Sequence, residues 1–218
     1  SCPMVIRAPY GGGVHGALYH SQSIEAMFNS TPGLKIVAPS TPYDAKGLLK
    51  AAIRDEDPVL FLEHKKCYRL IKGEVPDSDY IVPIGQGEIK REGTDITVIA
   101  HGMMLHNVLE AAEKLQDEGI SAHVLDLRTL YPLDKKSIVD AAVKTGKVLI
   151  VHEDNKEGGI GGEVAAIIGE ECLFDLDAPI RRLAAPDVPL MPFSPSLEKY
   201  CLVNTEQIQS AMRELALF

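Results

Sequence analysis

The chain has 218 residues, 45% hydrophobic and 24% charged, which suits one large or two small globular domains with a sizeable core. A formal net charge of −9 argues against a broad nucleic-acid surface, which needs clustered Lys and Arg against phosphates. No apolar run reaches the length of a membrane span. The cysteines Cys2, Cys67, Cys172 and Cys201 show neither metal-ligand spacing nor a disulfide framework. That pattern fits reduced thiols in a cytosolic protein, with Cys172 read as a small core residue.

The sequence opens at Ser1 straight into an apolar strand run, Met4–Arg7, with no charged-then-apolar leader before it. A domain seldom starts in a core strand, so an N-terminal segment is expected to be missing. Four glycines follow within six residues, from Gly11 to Gly16, and allow left-handed backbone and close approach. Ile24, Met27 and Phe28 predict a helix over 21–29, Pro32-Gly33 turns the chain, and 34–38 reads as a second strand. Ser40-Thr41-Pro42-Tyr43-Asp44 reads as a helix start, with Ala45, Leu48, Leu49, Ala52 and Ile53 on one face of a helix over 43–54. A third strand is expected at 59–63. The basic run from His64 to Arg69 reads as a solvated loop or strand end.

Residues 73–93 carry Gly73, Pro76, Pro83, Gly85, Gly87 and Gly93 and read as a linker, with a short strand near its end. Beyond it, strand runs at 96–100, 122–127, 148–152 and 180–183 alternate with helices over 104–118, 134–144, 163–171 and from Asn204 or Thr205 to about 215. Alternating strand and helix predicts an α/β fold with mainly parallel sheets. The expected division is a first domain over 1–72, a linker over 73–93 and a second domain over 94–218.

Several motifs carry chemistry. Gly158-Gly159-Ile160-Gly161-Gly162 lies between a strand and a helix but lacks the spacing of a dinucleotide or phosphate loop. It reads as a tightly packed turn or as a loop at an interface near a cofactor. Asp126 and Arg128 close a strand at its carboxyl end, as a local ion pair or a functional pair. His152-Glu153-Asp154 reads as an acid/base group or a satisfied surface cluster, without the spacing of a metal site. His15 and His20 flank Gly16-Ala17-Leu18-Tyr19 on an irregular approach to a helix. Tyr19, Ser21, Gln22 and Ser23 surround His20 with hydrogen-bonding groups. An imidazole there can shuttle protons near neutral pH, or it can be structural.

The stretch from Arg7 to Ser23 resembles the β subunit of the decarboxylating component of 2-oxo acid dehydrogenase complexes. The similarity continues through Pro32-Gly33-Leu34-Lys35, Asp44–Lys50, Asp55–Val59, Glu63-His64-Lys65, Tyr68-Arg69, Asp126–Thr129 and Thr145–Leu149, and so spans essentially the whole chain. His15–Ser23 and Glu63-His64-Lys65 look more like the branched-chain enzyme of bacteria, 3-methyl-2-oxobutanoate dehydrogenase, than the pyruvate enzyme. The pyruvate dehydrogenase β subunit, a transketolase-type single chain and a non-catalytic assembly fragment are the alternatives.

The resemblance implies a remnant of a pyrimidine-binding domain followed by a transketolase C-terminal-like domain. It implies thiamine diphosphate with Mg²⁺, shared with an α subunit in a cytoplasmic α2β2 heterotetramer. The acyl group then passes to the lipoyl domain of an acyltransferase whose peripheral subunit-binding domain docks the complex. His20 matches the family's β-subunit histidine. His15, Tyr19, Ser21 and Gln22 are expected beside it or along the lipoyl channel. The family's cofactor-activating glutamate and its stacking aromatic have no counterpart among these residues, so the isolated chain is expected to be inactive. A K⁺ held by backbone carbonyls is implied near Ala52, Asp55 and Asp57.

Overall fold

The computed structural model describes residues 1–218. In the first half the elements are β1 (Val5–Tyr10), α1 (Ala17–His20), α2 (Glu25–Asn29), β2 (Lys35–Val37), α3 (Pro42–Ile53), β3 (Val59–His64) and α4 (Cys67–Leu70). The second half contains β4 (Glu88–Arg91), β5 (Ile96–Ala100), α5 (Gly102–Gln116), β6 (Ala122–Asp126), β7 (Thr129–Tyr131) and α6 (Lys135–Thr145). It ends with β8 (Val148–Asn155), α7 (Ile160–Glu171), β9 (Arg181–Ala185), α8 (Pro195–Cys201) and α9 (Thr205–Ala216).

Two sheets result. The first has the order β1-β3-β2-β7, the second β4-β6-β5-β8-β9. All pairings are parallel except those of β7 with β2 and β4 with β6. This is the α/β architecture expected from the strand and helix alternation.

The helix starts follow their chemistry. Thr41 caps α3 by accepting from the Asp44 N–H, with Pro42 in the first turn. Asp134 caps α6, and Gly146, at φ +66°, ends it in the left-handed region that favours glycine. Asn204 and Gln207 close a capping box at the start of α9.

In β5 every residue is buried, and successive side chains serve different layers. Val98 packs with the apolar faces of α5 and α9, including Leu105, Val108, Ile208 and Met212. Ile99 packs on the other face with Ile138 of α6 and Val164 and Ile168 of α7. That second core also takes in Tyr10, Ile36 and Leu62 from the first sheet, so one apolar cluster joins the two halves. Truncating Ile99 to Ala in such a layer costs about 2–5 kcal/mol.

Four elements differ from the sequence reading. Of the helix expected over 21–29 only the short α2 forms, and a separate short turn, α1, precedes it. Ser21 is fully buried, its hydroxyl accepts from Gly16 N, and the chain breaks there before restarting at Glu25. The basic run starts as a strand end, as one of its two readings had it, with His64 the buried last residue of β3, but residues 67–70 form α4 rather than a loop. β7 and α8 have no periodicity of their own to announce them. β7 is the edge strand of the first sheet, held there by antiparallel pairing with β2.

Candidate active site

The loop after β1 is shaped by what it must avoid. Gly11 has φ +91°, and a Cβ there would lie 2.2 Å from His64 Nε2. Gly16 packs against His20, whose Cβ would be 2.4 Å from a side chain at that position. Between and after them, His15 and Ala17 adopt φ +56° and +52°, a left-handed backbone that non-glycine residues enter at a cost. His20 ends α1 and is exposed, and its carbonyl accepts from Lys65 Nζ. Tyr19 beside it is 81% exposed. Gln22 Oε1 accepts from Met191 N at 2.5 Å, and Ser21 is turned inward. The structure therefore presents His20 and Tyr19 to solvent, and uses Ser21 and Gln22 to hold the loop.

Three carboxylates of the second domain fix this loop. Glu153 on β8 accepts from Gly12 N at 2.5 Å and from the Ser23 hydroxyl at 3.2 Å. Its other oxygen lies 3.0 Å from His64 Nε2. His64 Nδ1 accepts from Lys66 N, which assigns the proton to Nε2 and makes His64 the donor to Glu153. Burial alone would push the Glu153 carboxyl up. His64, Gly12 N–H and Ser23 overcome that and hold it below its ordinary value. Glu198 on α8 accepts from Gly13 N at 2.9 Å and His15 N at 3.2 Å, and meets His15 Nδ1 at 2.5 Å. Asp154 accepts from Ala26 N at 3.2 Å.

Of these residues the sequence singled out His152-Glu153-Asp154, but left open a surface cluster. Glu153 is in fact buried at the junction. Glu198 was not found by sequence reasoning; the Ser194-Pro195 helix start was the available signal.

Behind the loop lies a second buried polar group. Glu25, without a hydrogen-bond partner, is pushed up to about 8 by burial and then by Asp154. His101, 3.6 Å from Glu25, is lowered to about 3, chiefly by burial. His152 is lowered to about 4 by burial and by Arg182. In all three, burial favours the uncharged form. Gly159 and Gly161 crowd the His152 ring, where a Cβ would lie 2.5 and 2.8 Å away. The glycine-rich segment is thus a packed strand-to-helix turn against His152.

Asp126 and Arg128 are not an ion pair. Only the Arg128 backbone N–H reaches Asp126; its guanidinium goes to Asp44 at 3.1 Å, Glu88 at 3.0 Å and the carbonyls of Gln86 and Gly87. Arg128 itself has φ +55°, which turns its side chain away from the strand it follows. Burial, then Asp44, pushes the Asp126 carboxyl up to about 7.

The donor set bears on a cofactor. No group of three His, Cys, Asp or Glu side chains could hold a metal ion. A cavity of about 590 Å³ lies against α3, β3 and Tyr68, but its carboxylate, Glu63, is already bonded to Arg7 and the Tyr68 hydroxyl. At the turn of Ala52, Asp55 and Asp57, the Lys35 ammonium sits 2.7 and 2.8 Å from the Asp55 oxygens and 3.1 Å from Asp57. Ala52 O there accepts from Asp55 N.

Comparison with known proteins places this arrangement. Residues 1–71 match the transketolase pyrimidine-binding domain and residues 85–208 the transketolase C-terminal domain. The chain is 70% identical over 218 residues to the 2-oxoisovalerate dehydrogenase subunit beta of Bacillus subtilis (strain 168), covering 100% of this chain and 67% of that protein. Against the pyruvate dehydrogenase E1 component subunit beta of the same organism it is 46% identical over 216 residues, covering 99% and 66%. The chain thus spans about two thirds of the length of these relatives. A split-gene transketolase solved as an inactive β4 tetramer superposes with a TM-score of 0.78 at 29% identity, covering 98% of this chain and 66% of that one. A Pichia stipitis transketolase shares the fold, with a TM-score of 0.68 at 15% identity, covering 99% and 30%. With both domain families in order and 70% identity on the branched-chain side against 46% on the pyruvate side, the chain belongs to the family of 2-oxo acid dehydrogenase β subunits.

Proposed function

We propose that the chain acts as the β subunit of a branched-chain 2-oxo acid dehydrogenase in the cytoplasm of a bacterium, decarboxylating 3-methyl-2-oxobutanoate and passing the acyl group to lipoamide. The observation that carries this reading is the 70% identity to a 2-oxoisovalerate dehydrogenase β subunit over the full chain. Its working assembly is an α2β2 heterotetramer that docks on the peripheral subunit-binding domain of an acyltransferase.

Thiamine diphosphate, when bound, supplies the electron sink for loss of CO₂. Its diphosphate and Mg²⁺ are proposed to sit on the α-subunit side of the shared site. The Ala52, Asp55 and Asp57 turn is the proposed K⁺ position, and a rise in Tm on exchanging Na⁺ for K⁺ tests it.

His20 is the proposed proton donor for acyl transfer. When one sulfur of the lipoyl dithiolane takes the acyl carbon, the S–S bond opens and the other sulfur leaves with the electron pair. A ring nitrogen of His20 gives that sulfur its proton. Exposure of His20 on a fixed turn supports the role, because a lipoyl arm must reach it from outside. His15, bonded to Glu198, and Tyr19 flank the approach. Co-expression with the α subunit, followed by assay with 3-methyl-2-oxobutanoate and with pyruvate, tests the substrate. The reading requires the higher kcat/KM for the branched acid; a preference for pyruvate overturns it.

A second reading draws on one relative. The split-gene transketolase of similar fold was solved as an inactive β4 tetramer. By analogy, this chain alone forms an inactive oligomer, and activity appears only with the α subunit. Gel filtration and assay before and after mixing separate the two states. Turnover by the chain alone contradicts this reading.

A further inference from the structure

Glu198 is a second-domain residue whose carboxylate is committed wholly to the first domain. Its residue is 1% exposed. One oxygen accepts the backbone N–H groups of Gly13 and His15, at 2.9 and 3.2 Å, and the other meets His15 Nδ1 at 2.5 Å. A buried carboxylate is costly unless such partners satisfy it, so this contact is a specific fixture rather than an incidental one.

What it fixes is strained. His15 and Ala17 both hold left-handed backbone, which a non-glycine residue keeps only where its surroundings offset the cost. The exposed histidine is tied to the same turn. Gly16 lies against His20 Cβ, His20 N–H donates to Gly16 O at 3.2 Å, and Ser21 Oγ accepts from Gly16 N at 2.8 Å. The turn from His15 to Ala17 therefore sets where His20 stands, and Glu198 holds the first residue of that turn.

We propose that Glu198 is a positioning residue for acyl transfer: from α8 it clamps Gly13 and His15, keeps His15 and with it Ala17 in left-handed backbone, and thereby places His20. The inference rests on the role given to His20 above. Its partner on β8, Glu153, holds the other end of the glycine segment at Gly12, so the loop is clasped on both sides by the second domain.

The test uses the enzyme assembled with its α subunit and follows reductive acylation of a lipoyl domain. Glu198→Gln, which keeps the shape and loses the charge, lowers kcat about tenfold with the KM for the 2-oxo acid within twofold. Because Glu198 acts through His20, the double variant His20→Ala/Glu198→Gln is no slower than His20→Ala. Ala17→Gly, which adopts the left-handed turn without strain, restores most of the lost rate to Glu198→Gln. Should Glu198→Gln fail to assemble, Glu198→Asp is read in the same three backgrounds.

A normal rate in the Glu198 variant, an additive loss in the His20→Ala background, or no rescue by Ala17→Gly overturns the inference. An unchanged rate in His20→Ala alone overturns the His20 reading instead, so the two failures are distinguishable.

Discussion

His64 at the end of β3 donates to Glu153 on β8 across the domain junction, at 3.0 Å and with both side chains buried. Because Glu153 also accepts from Gly12 N, this one pair ties the end of a strand, the glycine loop and the second sheet together. Removing one partner of a buried pair leaves the other uncompensated. Glu153→Ala is expected to lower stability by about 3–5 kcal/mol, measured by denaturant unfolding of the assembled protein.

The same carboxylate has a pH signature. Its folded value is depressed, so its contribution is present above the ordinary carboxylate value and lost as pH falls through the lower folded value. The stability gap between wild type and Glu153→Gln should therefore close in the acid range below about pH 4. A gap that stays constant into strong acid contradicts the assignment.

Glu25 works in the opposite sense. Its folded value is raised to about 8 from 4.5, so its contribution is fully present below the ordinary value and lost as pH rises through 8. Glu25→Gln cannot ionise. It should be more stable than wild type at pH 9, by on the order of a few kcal/mol, and nearly equal to it at pH 4. Thermal melts at the two pH values check this.

Gly11 tests the shape of the loop. A side chain there meets both the positive φ and the His64 ring 2.2 Å away. Gly11→Ala should cost about 2 kcal/mol or more. Gly33, also at positive φ but with open space around it, should lose only about 1 kcal/mol on the same change.

Arg128 separates the sequence reading from the structure by coupling energies. A double-mutant cycle between Arg128 and Asp44 should show coupling of about 1–3 kcal/mol, and one between Arg128 and the Asp126 side chain much less. A larger coupling to Asp126 would contradict the geometry.

Much of this was legible from residue order. Short apolar runs located β3 and β5, which are buried on both faces, and apolar residues at helical spacing located α3 and α5, all within a few residues. Thr41-Pro42 and Asn204 marked helix starts through capping chemistry that is local in sequence. His15 and His20 stood out because glycines and hydroxyls cluster around them. Glu198 and His64 did not, since their meaning lies in partners 183 and 89 residues away along the chain. The Asp126–Arg128 pairing failed for a related reason. A spacing of two suggests a shared face only on extended backbone, and Arg128 is left-handed.

The most direct test of the account is the rate at which the assembled enzyme reductively acylates a lipoyl domain from 3-methyl-2-oxobutanoate, in wild type and in His20→Ala. Loss of proton donation by a positioned imidazole predicts a fall of about 100-fold or more. A rate within a few-fold of wild type would contradict the central claim that His20 serves acyl transfer in this β subunit.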